Sequence, residues 1–143
     1  MNFVLDASVA LSWLLVDSKP TDRVYAALVL ETLKRPDIQA QVPVTWGLEV
    51  ANVLARAEAT NRISEAQSEA FLAMLSHAPI VHDAATFVHS LADTLQLARR
   101  YRLSAYDASY LELALRGGYS LATLDADLGK AARKAGVKGF SVK

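Results

Sequence analysis

The chain has 143 residues with no net charge, and 52% of its side chains are hydrophobic and 21% charged, which predicts a single globular domain over residues 1–143. Because it has no cysteine, disulfides, thiolate-held zinc and cysteine nucleophiles are excluded, and any metal ion must be held by oxygen or histidine ligands. The longest apolar stretch, at the N-terminus, is interrupted by Asp6 and Ser12, so we expect a cytoplasmic protein without a membrane span.

The first predicted elements are a strand followed by two helices. Residues 3–6 are a short apolar run typical of a buried strand, and residues 7–15 have helical spacing that ends at a turn over residues 17–20. A second helix is predicted over residues 21–34, and Pro36 prevents its continuation.

In the central and C-terminal parts of the chain, predicted strands again alternate with helices. The segment IQAQVPV, residues 38–44, predicts a strand that leads into a helix ending near Asn61. Ser64 and Gln67 form a capping box, which predicts the start of another helix that runs to about residue 76. The remaining predicted elements are a strand at 79–81, a long helix over 84–102, a helix from the N-cap Ser104 to Gly117 and Gly118, a strand at 119–123, a helix over 125–135 stopped by Gly136, and a strand at 139–142.

The alternation of strands and helices predicts an α/β fold with a mostly parallel sheet of four to five strands and helices on both faces. In such a sheet, functional groups gather at the carboxyl ends of the strands. Asp6 and Asp125 follow strands directly, Glu49 lies near the start of the helix after the second strand, and Asp107 lies in the first turn of a later helix. We therefore expect these four acids to face one cleft.

Such a cluster of acids indicates a metal site. Ionised carboxylates held close together repel one another unless a cation compensates their charge. Mg²⁺ and Mn²⁺ prefer oxygen ligands and pair protein carboxylates with substrate phosphates, so phosphodiester hydrolysis is the matching chemistry. Other catalytic patterns are missing from the sequence, which has no glycine-rich phosphate loop, no Gly-x-Ser-x-Gly elbow and no His-x-x-x-His pair.

The segments FVLDASV, WGLEVANVL, LSAYDASYLELALRGG and LATLDADL, in this order and spacing, resemble PIN-domain ribonucleases of the VapC toxin type. The resemblance extends from Asp6 to about Gly136. It implies a three-layer PIN-like fold, RNA cleavage dependent on Mg²⁺ or Mn²⁺, a homodimer, and inhibition by a cognate antitoxin protein. It places the catalytic and metal-binding acids of the family on Asp6, Glu49, Asp107 and Asp125, and its small polar helpers on Ser8, Asn52 and Thr123.

The supporting residues also have interpretations of their own. The Ser8 hydroxyl can bond the Asp6 carboxylate or a free helix N–H, and Asn52 lies one helical turn after Glu49. Thr123 could orient a metal-bound water. Asp127 is either a further ligand or an acid that complements a helix dipole, and the sequence leaves both open.

Basic residues are concentrated toward the C-terminus. Residues 1–98 carry 6 basic and 11 acidic side chains, whereas residues 99–143 carry 9 basic and 4 acidic ones, which hints at an anionic partner. For most members of a looser set of basic residues, a solvated surface is the simpler interpretation. This set consists of Arg99, Arg100, Arg102, Lys130, Arg133 and Lys134. The candidates for contact with an RNA substrate are Arg56, Arg99, Arg100 and Arg102.

Three alternatives remain open at the level of sequence. Each acid taken alone could be an ordinary helix cap, and Asp6 and Asp125 are both placed for that role. The chain could also be a catalytically inactive PIN-like module that binds RNA or protein. A receiver-like signalling domain is a further alternative, but it would need an acidic pair at the first strand and a lysine closing a later one.

Overall fold

The computed structural model describes residues 1–15 and 19–141. Residues 17 and 18 of the expected turn, and residue 142 of the expected last strand, lie outside these ranges. The strands are β1 (Asn2–Leu5), β2 (Gln39–Val42), β3 (Ile80–His82) and β4 (Ser120–Ala122). The helices are α1 (Ala7–Leu11), α2 (Pro20–Thr32), α3 (Trp46–Ala59), α4 (Glu65–His77), α5 (Thr86–His89), α6 (Asp93–Tyr101), α7 (Ala105–Gly117) and α8 (Ala126–Lys134).

The four strands form one parallel sheet in the order β3-β2-β1-β4, as the alternation predicted. Phe3, Val4 and Leu5 of β1 are all fully buried, although successive side chains of a strand point to opposite faces. Both faces of the sheet are therefore covered by helices, which explains why this strand is a continuous apolar run. None of the described helices is long and apolar enough to cross a bilayer.

The expected strand at 139–142 is not a full strand in the part that the structure describes. Residues 139–141 contribute one parallel bridge, between Gly139 and Leu121 of β4. The Phe140 amide donates to the Leu121 carbonyl at 2.9 Å, and the Phe140 ring stacks on Phe3 with centroids 4.0 Å apart. Ring stacking in the core thus holds this segment at the sheet edge without a longer ladder of hydrogen bonds.

Helix ends that depend on local side-chain chemistry lie where the sequence predicted them. In α4 the Ser64 hydroxyl accepts from the Gln67 amide at 3.1 Å, and the Gln67 side chain accepts from the Ser64 amide at 2.8 Å. Ser104 caps α7 by accepting from the Asp107 amide at 3.0 Å. Gly118 ends the same helix with φ 67°, a left-handed conformation in which a side chain would be strained.

The single helix expected over 84–102 is wrong, because the structure has two helices, α5 and α6, separated by residues 90–92. The Ser90 hydroxyl donates to the Phe87 carbonyl at 2.6 Å and thereby competes with the helical backbone. Ala92 then adopts φ −120° and ψ −102°, far from helical values. The stretch contains neither glycine nor proline, so no residue in it marked the interruption.

A partly buried ionic cluster fixes the edge strand β3 to α7. The Arg116 guanidinium donates to both carboxylate oxygens of Asp83, at 3.1 and 2.6 Å, and to the Glu112 carboxylate at 2.7 Å. Glu112 is only 4% exposed. The hydrogen bonds from Arg116 hold the pKa of Asp83 below its ordinary value of 3.8. Since α7 also carries Asp107, this cluster contributes to the position of the candidate site.

The cluster predicts a loss of stability in acid. At neutral pH we expect Asp83→Asn to lower the free energy of unfolding by about 1 to 2 kcal/mol, because it removes an ionised acceptor of three hydrogen bonds, two from Arg116 and one from Thr86. The Asp83 contribution is complete above pH 3.8 and disappears as pH falls through the lowered pKa of the folded protein. Urea melts of parent and variant should therefore differ at pH 6 to 7 and converge in strong acid. The exposed Asp37→Asn variant, the control, should match the parent throughout.

Candidate active site

The structure brings the four sequence-predicted acids together at the carboxyl edge of the sheet. Asp6 follows β1 and is 4% exposed, and Asp125 lies between β4 and α8. Glu49 and Asp107 occupy the first turns of α3 and α7. Their charges act on one another, since Asp6 is affected by Asp125, Glu49 by Asp6 and Asp107, and Asp107 by Asp125 and Asp6. The four carboxylates therefore share one electrostatic environment.

Two hydroxyl groups hold the Asp6 carboxylate in place. Ser8 Oγ and Thr123 Oγ1 both donate to Asp6 Oδ2, at 2.6 and 2.7 Å. Each hydroxyl oxygen in turn accepts from a backbone amide, Ser8 from Leu124 and Thr123 from Asp125, both at 3.0 Å. The Thr123 hydroxyl thus positions a carboxylate, in contrast to the sequence-based suggestion that it orients a water. Ser8 likewise bonds the carboxylate, one of its two predicted roles.

Helix capping accounts for one of the two acids that follow strands, Asp125, but not for the other, Asp6. Asp6 occupies the N-cap position of α1, but its side chain makes no capping hydrogen bond there. Asp125 is a true N-cap, because its Oδ1 accepts from the Leu128 amide at 2.9 Å. Capping therefore gives a role to the Oδ1 atom of Asp125, and it gives no role to the Asp6 carboxylate.

The site stabilises the protonated forms of its acids. Burial raises the pKa of Glu49 to about 7, and the charges of Asp6 and Asp107 act in the same direction. Burial and the charges of Asp125 and Asp6 raise the pKa of Asp107 to about 6. Burial also raises the pKa of Asp6, although the hydrogen bonds from Ser8 and Thr123 oppose this shift. These shifts mark a place where negative charge is concentrated and a cation would be favoured.

Tyr110 belongs to the site and was not predicted from the sequence. Its side chain is fully buried, and its hydroxyl donates to Glu49 Oε1 at 2.9 Å. The Ala7 amide, directly after Asp6, donates to the same hydroxyl at 3.4 Å. Burial raises the pKa of Tyr110 well above its ordinary range, so the hydroxyl remains a donor. The signal in the sequence was its position three residues after Asp107, on the same helical face.

The other predicted residues lie farther from the centre of the site. Asn52 is exposed on α3 and makes no side-chain hydrogen bond within the described parts of the chain. Asp127 is exposed in the first turn of α8, as the dipole interpretation expects, yet its charge also acts on Asp107. All four arginine candidates are exposed, and of these Arg100 and Arg102 line one cleft that does not include Arg56 or Arg99.

The donor chemistry of the site fits Mg²⁺ or Mn²⁺. The four acids offer only oxygen ligands, and a divalent cation would offset the burial and the mutual repulsion that raise the pKa values of Glu49 and Asp107. Within residues 1–15 and 19–141, no three histidine, aspartate or glutamate side chains already stand in an arrangement that could hold a metal ion.

The fold and the acid cluster can be compared with known proteins. The family model described as PIN domain matches residues 3–134, nearly the whole chain. The chain belongs to the PIN domain family. PIN domains are usually nucleases, which agrees with a cluster of acids at the carboxyl edge of the sheet. The family match also argues against the receiver-like alternative.

This PIN domain is similar to a solved structure, described as the crystal structure of PAE2754 from Pyrobaculum aerophilum, with a TM-score of 0.65. The two chains are 20% identical, and the match covers 92% of this chain and 87% of the other. At this level of identity the similarity shows a shared fold only. No curated protein sequence matches this PIN domain.

Proposed function

We propose that this PIN domain is an endoribonuclease that depends on Mg²⁺ or Mn²⁺ and hydrolyses RNA phosphodiester bonds. The observation that carries this conclusion is the convergence of four carboxylates, from four separate elements, in a site that raises the pKa of Asp6, Glu49 and Asp107. A purely structural role would leave such repulsion uncompensated within the fold. The preference for RNA over DNA rests on the family resemblance.

In this mechanism Asp6, Glu49, Asp107 and Asp125 would hold the metal. When bound, the ion would activate a water molecule and neutralise negative charge that develops on the phosphate. Residues of the chain itself fix the ligands in advance, because Ser8 and Thr123 orient Asp6 and Tyr110 orients Glu49. The Ser104 cap likewise sets the first turn of α7, from which Asp107 projects.

The experiment that tests this function is cleavage of a mixed pool of small RNAs by the purified protein. We expect cleavage with Mg²⁺ or Mn²⁺, none in EDTA, and a loss of about 100-fold or more in Asp6→Asn, because that variant removes a charged ligand. Asp6→Asn should remain folded by circular dichroism, since asparagine nearly preserves the shape of the side chain. RNA that stays intact with every metal, although the folded protein binds it, would favour the inactive binding module instead.

The biological role would be that of a cytoplasmic toxin held inactive by a cognate antitoxin. A basic side chain inserted by the antitoxin among the acids would compete with the metal, because both satisfy the same negative charge. Support for this role comes from the resemblance and from the repulsion among the acids. A protein complex that inhibits the nuclease but leaves Mn²⁺ binding unchanged would contradict insertion into the acid cluster.

A homodimer is proposed as the state in solution. Three apolar side chains near α5, those of Phe87, Val88 and Leu91, are 82%, 74% and 88% exposed. Adjacent exposed apolar side chains of this size favour burial against another protein surface. Sedimentation equilibrium of the protein should then give the mass of two chains, whereas the mass of one chain at micromolar concentration would contradict the dimer.

A further inference from the structure

A cationic cleft lies beside the acid cluster, between the C-terminal end of α6 and one face of α8. It encloses about 440 Å³, a volume that suits a nucleotide unit better than a duplex. Its floor includes the small buried side chain of Ala131. Its walls are formed by Arg100, Tyr101 and Arg102 on one side and by Asp127, Lys130 and Lys134 on the other.

The cleft carries four positive side chains and one negative side chain, that of Asp127. None of Arg100, Arg102, Lys130 and Lys134 forms an ion pair with a residue in the described portion of the chain. Arg100 instead lies over the Tyr101 ring, 5.7 Å from its centroid. Four cationic side chains facing one cleft repel one another, and a bound polyanion removes that repulsion.

The cleft and the proposed catalytic site meet at the first turn of α8. Asp127 in that turn lines the cleft and lies two residues after Asp125, the N-cap of the same helix. A strand whose phosphate lay at the acids would therefore have its next phosphates within reach of the cations. The arrangement places positive charge beside, and not among, the carboxylates that would hold the metal.

The backbone conformation of Arg102 is unusual for an arginine. Arg102 caps α6 in the left-handed conformation, with φ 54° and ψ 45°. Glycine or asparagine is the ordinary residue at such a helix end, because any larger side chain adds strain. An arginine at this helix end interacts favourably with the helix dipole but strains the backbone, whereas in the cleft it supplies a guanidinium suited to bind phosphate in a fork.

Helix α8 directs its cations to different surfaces. Lys130 and Lys134 are one turn apart and both line the cleft. Arg133, on the same helix, lines a different cavity, which includes Thr123 and Asp125 of the acid cluster. A cation away from both places is Arg35, which is exposed and precedes β2, at the edge of the sheet opposite the acids.

We propose that this cleft binds the sugar-phosphate backbone of a single RNA strand next to the scissile phosphate. This role for the cleft rests on the proposed nuclease function and adds to it the path by which the strand leaves the acids. The recognised chemistry is the phosphodiester anion, with arginine forks and lysine ammonium groups as donors. Base identity plays no part in these contacts.

The test is fluorescence anisotropy of a labelled single-stranded RNA oligonucleotide, titrated at several salt concentrations in EDTA so that nothing is cleaved. We expect Arg102→Gly, Lys130→Ala and Lys134→Ala each to weaken binding about 3- to 10-fold and to reduce the salt slope by about 1. Arg35→Ala removes the same charge at the opposite edge of the sheet and should bind like the parent. Arg102→Gly should also keep or raise the melting temperature, because glycine relieves the left-handed backbone.

Competitors distinguish the possible sources of phosphate. Unlabelled single-stranded RNA should displace the probe at far lower concentration than inorganic phosphate or a duplex of equal length, and displacement by phosphate at equal concentration would overturn the proposal. So would an equal loss of affinity in Arg35→Ala, or an unchanged salt slope in the three cleft variants. Binding is measured without metal and so does not depend on cleavage. If the cleft variants weaken RNA binding but the parent cleaves no RNA with any metal, only the proposed nuclease function is refuted. Cleavage with unchanged kcat/KM in all three cleft variants would refute only the cleft.

Discussion

Replacing Glu49 by glutamine is expected to stabilise the metal-free protein and, at the same time, to remove most of its RNA cleavage. Burial and the charges of Asp6 and Asp107 raise the pKa of Glu49 to about 7, so folding at pH 8 forces an unfavourable charge into the site. Glutamine has nearly the same shape and still accepts the hydrogen bond from Tyr110. After allowance for solvent screening we expect a gain of about 1 kcal/mol, or about 3 °C in melting temperature.

The stability gained by Glu49→Gln is expected to increase with pH. The folded protein favours protonated Glu49, so the penalty is absent below the ordinary pKa of 4.5 and grows as pH rises to about 7. In EDTA the melting temperature of the variant should exceed that of the parent most at pH 8 and by little at pH 5. Saturating Mn²⁺ should reduce or reverse this difference, because the parent binds the ion more tightly.

Glu58→Gln is the matched control for this experiment. Glu58 lies on the same helix, α3, outside the acid cluster, so its replacement should change neither the melting temperature in EDTA nor the rate of RNA cleavage. A Glu49→Gln variant that melts below the parent at pH 8 in EDTA would show that the carboxylate is compensated within the protein. The metal site would then lose its main physical support.

The sequence predicted the parts of the fold that depend on neighbouring side chains. The capping box of Ser64 and Gln67, the Ser104 cap and the Gly118 helix end are local hydrogen-bond or backbone patterns, and all three are confirmed. The break between α5 and α6 was missed, because residues 90–92 carry no local signal strong enough to outweigh helical spacing. The extent of the strand at 139–142 was overestimated because one bridge to Leu121, together with stacking of Phe140 on Phe3, holds the segment in place of a longer ladder.

The candidate site was likewise predicted from the sequence only in part. The gathering of the acids followed from one topological rule, that the carboxyl ends of parallel strands meet at one edge. Tyr110 was missed because it lies among buried apolar residues of α7 and resembles ordinary core, and its hydroxyl bonds Glu49, 61 positions earlier. The cationic cleft likewise joins Arg100 and Arg102 to lysines of α8 about 30 residues later, a contact that no spacing reveals.

The two roles of Asp125 can be separated by two replacements. Asp125 Oδ1 caps α8 by accepting from the Leu128 amide, and asparagine caps a helix about as well as aspartate. Asp125→Asn should therefore leave the free energy of unfolding in EDTA within about 0.5 kcal/mol of the parent, whereas Asp125→Ala should lower it by about 1 kcal/mol. Both variants lack the negative charge that would hold the metal.

We expect both Asp125 variants to lose about 100-fold or more in RNA cleavage and to lose most of the rise in melting temperature that Mn²⁺ gives the parent. Stability and cleavage are thus expected to follow different properties of one side chain, hydrogen-bond acceptance for the helix and charge for the site. Cleavage by Asp125→Asn at the rate of the parent would mean that this aspartate serves the helix alone. The proposed metal would then depend on Asp6, Glu49 and Asp107, which the electrostatics of the site already link to one another.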